Sequence, residues 1–190
     1  MADDHGASLE LDLNEVTAGL ERLTRRLSNL TPLMEQVGSA LEQSSLMRFE
    51  TKTGPDGQRW EALAARTIKE RIKKGYGNQN ILRRSGHLAR SINYRASSDQ
   101  VIVSMGGVGN SLDYAAAHQF GAIINMRPRR QTLYYQGNGN RWVSRRQSDS
   151  SRTVNVGGYT IRIPARPVIG LSVEDKGAVN TIFENFLAED

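Results

Sequence analysis

Residues 122–163, AIINMRPRRQTLYYQGNGNRWVSRRQSDSSRTVNVGGYTIRI, decide which class of fold this sequence forms. The stretch opens with a short apolar run at 122–125 and closes with YTIRI at 159–163, where apolar and polar residues alternate as they do in a strand. Between these candidate strands lie GNGN, SRRQSDSSR and GG, which are rich in turn-forming residues. The sequence therefore predicts two strands joined by a long exposed loop, or by an excursion of a hairpin that leaves the core.

The same region carries the positive charge of the chain. Residues 126–166 contain nine arginines, no lysine and one acid, Asp149, which gives +8, whereas the other residues carry 16 bases and 19 acids. Guanidinium groups bind phosphates and carboxylates through paired donors, and Tyr134, Tyr135 and Trp142 lie among these arginines. Three interpretations stay open: contact with an acidic surface of a neighbouring subunit, binding of nucleic acid, or a solvated loop. The candidate contact residues are Arg127, Arg129, Arg130, Tyr135, Arg141, Trp142, Arg145, Arg146 and Arg152.

The N-terminal part of the chain is predicted to be helical. Apolar residues recur over 13–41 at alternating spacings of three and four, which is typical of one face of a helix. Proline costs about 3 kcal/mol inside a helix but is tolerated in its first turn, so Pro32 predicts a break at 29–31. We expect Thr31 to cap a second helix that runs to about Phe49; a single kinked helix is the alternative. The apolar face is expected to pack on the chain's own core, with a coiled coil to a neighbouring chain as the alternative.

The complete pattern predicts an α+β fold: N-terminal helices, a small antiparallel sheet with a long Arg-rich arm or hairpin, and a C-terminal helix. We expect an N-terminal helical segment at 1–50, then an α+β core at 51–190 from which 122–163 protrude. The further expected elements are a helix at about 61–74, a short helix leading into a strand at 81–92, a hairpin at 93–105, a short helix at 113–119 and a helix at 175–187.

Several kinds of catalytic or metal site have no basis in this sequence. The absence of cysteine excludes disulfides, thiolate zinc sites, iron–sulfur clusters and cysteine nucleophiles. The three histidines show no metal-ligand spacing, no GxSxG motif occurs, and the glycine-rich pieces lack the lysine of a phosphate loop. We therefore expect no enzyme activity, no cofactor and no metal, and we expect His118 to be a structural residue that forms hydrogen bonds.

Nothing in the sequence favours a membrane. No apolar run approaches the roughly 18 residues of a membrane span. The acidic start, MADDHGASLE, lacks the basic and apolar parts of a signal peptide. We expect a soluble protein that is made in a cytoplasm and has no membrane partner.

Five segments follow one another in a distinctive order. They are RFE (48–50), PDGQRWEALAARTIKER (55–71), ILRRSGHLARSI (81–92), DYAAAHQFG (113–121) and PARPVIGLSVED (164–175). In this order they resemble the virion morphogenesis proteins, also called tail-completion proteins, of Mu-like and related tailed phages. Residues 122–163 depart from the pattern, because many members of that family have a shorter connection there.

The resemblance implies a non-enzymatic virion assembly protein. Such a protein would lie at the phage neck or at the head-proximal end of the tail, and would complete the tail and join it to the head through a ring of subunits. The implied partners are further copies in a hexameric ring, neighbouring neck, connector or tail-tube proteins and, as a further candidate, the DNA in the channel. The implied location is the virion, after synthesis in the host cytoplasm, and the alternative function is a nucleic-acid-binding module that uses the Arg-rich segment.

The motif residues themselves are expected to be structural. We expect Phe120 in the core, His118 bonded to the backbone, and glycines in tight or left-handed turns. The two prolines beside Arg166 should hold an extended approach to the last helix. The complete set is Trp60, Gly86, His118, Phe120, Gly121, Pro164, Arg166 and Pro167.

Overall fold

The computed structural model describes residues 13–76, 80–106, 110–137 and 141–188. Helices and antiparallel strands alternate through these ranges, which confirms the predicted α+β class. In chain order the elements are α1 (Asn14–Leu27), α2 (Thr31–Thr51), α3 (Ala65–Lys73), α4 (His87–Arg90), β1 (Asn93–Ala96), β2 (Val101–Ser104), α5 (Asn110–Phe120), β3 (Ala122–Met126), β4 (Arg129–Gln136), β5 (Arg141–Trp142), a 3-10 turn (Arg145–Gln147), β6 (Ser150–Val156), β7 (Tyr159–Ile163) and α6 (Val173–Ala188).

The N-terminal apolar pattern forms two helices, as expected from Pro32. The predicted cap is wrong by one residue, because Thr31 is already helical and Leu30 occupies the N-cap position without a capping side chain. The Thr31 N–H instead donates to Asn29 Oδ1 at 3.1 Å. Pro32 lies in the first turn, where its missing N–H removes no helical hydrogen bond.

The core forms where α2 packs on α6 and on the hairpin of β1 and β2. Gly38 permits a close approach at this contact, because a Cβ there would lie 2.3 Å from the ring of Tyr94. At the other end of α2, the rings of Phe49 and Trp60 meet edge to face, with their centres 5.8 Å apart. The buried residues that pack with them are Ile81, Leu82, Leu88, Ala89, Ile92, Met105, Ala115 and Val168.

The expectation that the whole N-terminal apolar face packs on the core is wrong for α1. Leu33 and Val37 of α2 are buried, but α1 has no buried residue. Its apolar side chains are 36% to 60% exposed. The break between the two helices turns α1 away from the core, and the Arg26 guanidinium lies 4.6 Å from the ring centre of Phe186 in α6.

The third helix begins four residues later than the sequence predicts. The Arg166 side chain donates hydrogen bonds to the carbonyl oxygens of Glu61 and Ala62, at 3.0 and 3.3 Å. A contact with a residue more than 100 positions away therefore holds 61–64 outside the helix, and α3 starts at Ala65.

Candidate interaction surface

Residues 164–172 connect β7 to α6 without regular secondary structure, and we call the first seven of them, 164–170, the strap. Buried backbone donors and acceptors need partners, because an unpaired one costs about as much as a lost hydrogen bond. Since the strap lies in neither a helix nor a sheet, side chains from distant elements must supply those partners.

Arg48 of α2 holds the end of the strap that leads to α6. Its guanidinium is buried and donates to the carbonyl oxygens of Val168 at 2.5 Å and Gly170 at 2.9 Å. The same group forms a buried ion pair with the Asp175 carboxylate. This end of the strap is thus tied to α2 and α6 at once.

Asp175 also caps α6. Its carboxylate accepts from the Ser172 N–H at 2.8 Å, and the Ser172 hydroxyl accepts from the Asp175 N–H at 3.1 Å, which is a reciprocal capping box. Burial acts to raise the pKa of Asp175, but hydrogen bonds from Ser172 and Ser44 and the charge on Arg48 outweigh it and lower the pKa. Asp175 is therefore held as a carboxylate.

Gln119 and Trp60 hold the middle of the strap. Gln119 Oε1 accepts from the N–H groups of Val168 and Ile169 at 2.8 and 3.1 Å, and its Nε2 donates to the Ile169 carbonyl at 2.7 Å. The Trp60 indole N–H donates to the Pro167 carbonyl at 3.0 Å. The motifs around residues 48, 60, 119 and 164–170 thus converge on one buried structural feature.

Arg166 belongs to the strap and not to the exposed charge of the arginine-rich stretch. Its side chain is buried, and its backbone N–H donates to the His118 carbonyl at 2.7 Å. The net charge of +8 for residues 126–166 therefore includes one cation, Arg166, that is buried in the fold.

The Nδ1 atom of His118 does not form the hydrogen bond to the backbone that the sequence predicted for this side chain. This atom is buried and has no hydrogen-bond partner among the described residues, while the His118 ring meets that of Tyr114 edge to face at 4.4 Å. Burial and then the positive charge of Arg166 lower the pKa of His118, so the neutral ring is favoured.

The sequence predicted that Phe120 lies in the core, but its side chain is 79% exposed. Gln119 points inward to reach the strap, and the next side chain of the same helix is rotated from it by about 100°, which leaves Phe120 in solvent. Gly121 then turns the chain with φ of +77°, where a Cβ would lie 3.1 Å from the Ile163 carbonyl oxygen. Phe120 and the 71% exposed Ile123 are thus apolar side chains left in solvent at the base of 122–163.

Residues 122–163, which we call the arm, form one long interrupted hairpin. β3 pairs with β7 from Ala122–Ile163 to Met126–Tyr159, and β4 pairs with β6 in the same register. The ladder is interrupted where Pro128, which lacks an N–H, lies near Gly158. From 122 to 135 the strand spans roughly 45 Å at the usual rise per residue. The hairpin alternative of the sequence prediction is confirmed.

The outer arm has one apolar face. Directly paired residues share a face, so Leu133 and Tyr135 of β4 lie on the same side as Val154 of β6 and Trp142 of β5. The rings of Tyr135 and Trp142 meet edge to face at 5.9 Å, and Trp142 is 69% exposed. Arg152 pairs with Leu133 on this face, so the apolar surface carries a cation at its edge.

The other predicted contact residues are spread along the arm. Arg127 lies at the interruption, Arg129 and Arg130 on β4, Arg141 on β5, and Arg145 and Arg146 in the 3-10 turn. Those whose side chains the structure describes are exposed, and none of these forms an ion pair within the described part of the chain. The arm's acid, Asp149, instead accepts from the Gly137 N–H at 2.8 Å, which lowers its pKa.

A cleft of about 430 Å³ lies between α3 and α4, and the sequence patterns did not predict it. Arg71, Lys74, Arg84 and His87 line it together with Glu70. Within the described ranges no three or more histidine, aspartate or glutamate residues are grouped as metal ligands would be. No helix in the same ranges combines the length and apolar character needed to cross a membrane.

Two comparisons with known proteins found similarity over most of the chain. Residues 11–188 match the family model of the phage virion morphogenesis family. The chain is also 30% identical over 128 residues to the putative capsid assembly protein G of Escherichia phage Mu, an alignment that covers 64% of this chain and 78% of the Mu protein. No solved structure matches the chain. Since the family match extends from α1 through the strap to α6, the chain belongs to the phage virion morphogenesis family.

Proposed function

We propose that this protein is a structural component of the virion, at the neck or the head-proximal end of the tail, where a ring of six copies completes the tail and joins it to the head. Its membership of the virion morphogenesis family supports an assembly role, as does the name of the Mu relative. The observation that carries the proposal is the arm, which exposes arginines together with Trp142. None of the arginines whose side chains are described forms an ion pair within the described chain.

The arm has the composition of a protein interface. Aromatic residues and arginine are enriched in the centres of interfaces, and the outer arm exposes Trp142 beside Tyr135 and Arg152. A two-stranded hairpin is at best marginally stable alone in water, so contact with another surface would stabilise it. The arm is therefore proposed to lie on a neighbouring subunit.

Such a contact can build a ring. An arm that binds a different surface of the next copy makes a head-to-tail interface, and such interfaces close into rings when the rotation permits. The residues outside the arginine-rich stretch include 19 acids, so a neighbouring copy can offer carboxylates to the arm. The protein then acts by contacts between subunits and not by catalysis.

The test combines substitutions on the apolar face of the arm with electron microscopy of phage lysates. With Tyr135→Ala and Trp142→Ala together, we expect separate heads and tails in place of complete particles, because the contact loses its aromatic centre. The matched control, Thr132→Ala with Thr153→Ala, changes the opposite face, where the two hydroxyls lie 3.4 Å apart. Complete, infectious particles with the first pair would contradict the proposal.

A second candidate function is binding of nucleic acid. It is favoured by the arginines of the arm, because none of those whose side chains are described forms an ion pair within the described chain. Binding through several phosphates weakens steeply between about 50 and 200 mM salt. If the arm follows DNA, Arg129→Ala with Arg130→Ala should weaken duplex binding and flatten its salt dependence. If the purified protein binds neither duplex nor single-stranded DNA at low salt, this second function is excluded.

A further inference from the structure

Helix α1 presents an apolar face that the rest of the described chain does not cover. Val16, Leu20 and Leu27 are 58%, 60% and 48% exposed, and Leu13 and Leu23 continue the same stripe. Substituents at spacings of three and four lie on one side of a helix, so the stripe is continuous over the length of α1.

This helix needs a partner to be stable. It has 14 residues and none is buried. Isolated helices shorter than about 12–15 residues are marginal in water, and Gly19 in its middle lowers its stability by roughly 0.5–1 kcal/mol relative to alanine. Most of the stability of a short helix comes from packing of its apolar face, and the rest of the described chain does not supply that packing here.

The charges of α1 indicate the partner and its direction. Glu15 lies in the first turn, and Arg25 and Arg26 lie in the last turn. Two parallel copies would place like charges at each end, whereas antiparallel copies place the acidic end of one helix beside the basic end of the other. Antiparallel packing also sets the two helix dipoles in opposite directions. We propose that α1 pairs with the α1 helix of a second copy of this chain, in antiparallel orientation.

The pairing gives a dimer that closes on itself. In an antiparallel pair Leu20 faces Leu23 of the second copy, and Val16 faces Leu27, because alternate apolar layers interdigitate. The helix is about 21 Å long, so the contact is smaller than the roughly 1,200 Å² of a stable interface and dissociates on dilution. The arm takes no part in this contact, so the dimer is independent of the proposed function.

Cysteine cross-linking tests both the contact and its direction, because the chain contains no cysteine. Val16→Cys and Leu27→Cys are prepared separately, and each is treated with a short bifunctional maleimide alone and after mixing. We expect a cross-linked dimer that contains one copy of each variant in the mixture, and only background in either variant alone. The matched control is Ala18→Cys, on the opposite side of α1.

The outcomes separate the possible occupants of the stripe. Efficient cross-linking of either variant alone would indicate parallel pairing, and a mixture no better than the Ala18→Cys control would indicate no self-association; both overturn the proposal. Sedimentation gives a second measurement: Leu20→Gln with Leu23→Gln should abolish the concentration-dependent dimer. In dilute protein, where the unsubstituted chain is already a monomer, the two substitutions should leave the unfolding transition of the core unchanged. A lower transition temperature in that variant would instead show that the stripe packs on the chain's own core.

Discussion

At the scale of single residues, Arg48 links three parts of the chain through one guanidinium group. It donates to two strap carbonyls and pairs with Asp175, and both partners of that pair are only 6% exposed. A charge left alone at such a site has lost its water without gaining a partner. The strap therefore depends on each member of this small set.

We predict that Arg48→Met lowers the free energy of unfolding by about 3–5 kcal/mol, because it leaves the Asp175 carboxylate buried without its cation. Urea denaturation measures this. Arg66→Ala is the control, since the Arg66–Glu70 pair is exposed at 3.6 Å and its loss should cost less than about 1 kcal/mol. Equal effects of the two substitutions would contradict this account of the strap.

His118 makes the stability depend on pH. Its pKa in the folded protein is below the ordinary value of 6.5, so the unfolded chain binds the proton more tightly. Its contribution to stability is therefore present above about pH 6.5 and is lost as the pH falls through the folded pKa. His118→Phe should remove the loss of stability below about pH 6.5, whereas His87→Gln should retain it. Thermal unfolding at a series of pH values decides, and an unchanged pH dependence in His118→Phe would refute the assignment.

At the scale of elements, the arm and the core are separate in their packing. No residue of the described arm belongs to the buried core cluster, which is built from α2, α4, the strap and their neighbours. Pairs of β3 with β7 fix the base of the arm, and the interruption near Pro128 separates the base from the outer part. The outer arm therefore contributes to contacts more than to the stability of the body.

We predict that replacing residues 127–158 with Asn-Gly leaves the core folded. The two residues can form a tight turn between Met126 and Tyr159, which are already paired. The thermal transition of the shortened protein should stay close to that of the full chain. Loss of the cooperative transition would mean that the arm is part of the core.

Residue patterns predict the helices and strands better than they predict which surfaces those elements contact. Periodicity was sufficient for β1, β2, β3 and β7 and for the two N-terminal helices, because it depends on local geometry. It did not predict β4, β5 and β6 individually. It could not show that α1 turns away from the core, since an amphipathic face indicates burial without naming the covering surface. It also missed the late start of α3, which depends on Arg166, and the exposure of Phe120, which follows from the inward direction of Gln119.

At the scale of the whole molecule, the buried and the exposed parts of the sequence have different roles. Residues of the five ordered sequence motifs hold the strap, so they stabilise the body from which the arm extends. The arm and α1 extend from that body with apolar and charged side chains in solvent, and both are proposed to bind other subunits. The positive charge of the chain thus belongs to an extension that can reach a neighbour.

The most direct measurement is a cryo-electron-microscopy map of the assembled virion at the junction of head and tail. We predict a ring of this protein in which each arm lies on the adjacent protein subunit and Trp142 is buried in that contact. A map in which the protein is absent from the junction, or in which the arms lie free in solvent, would contradict the account.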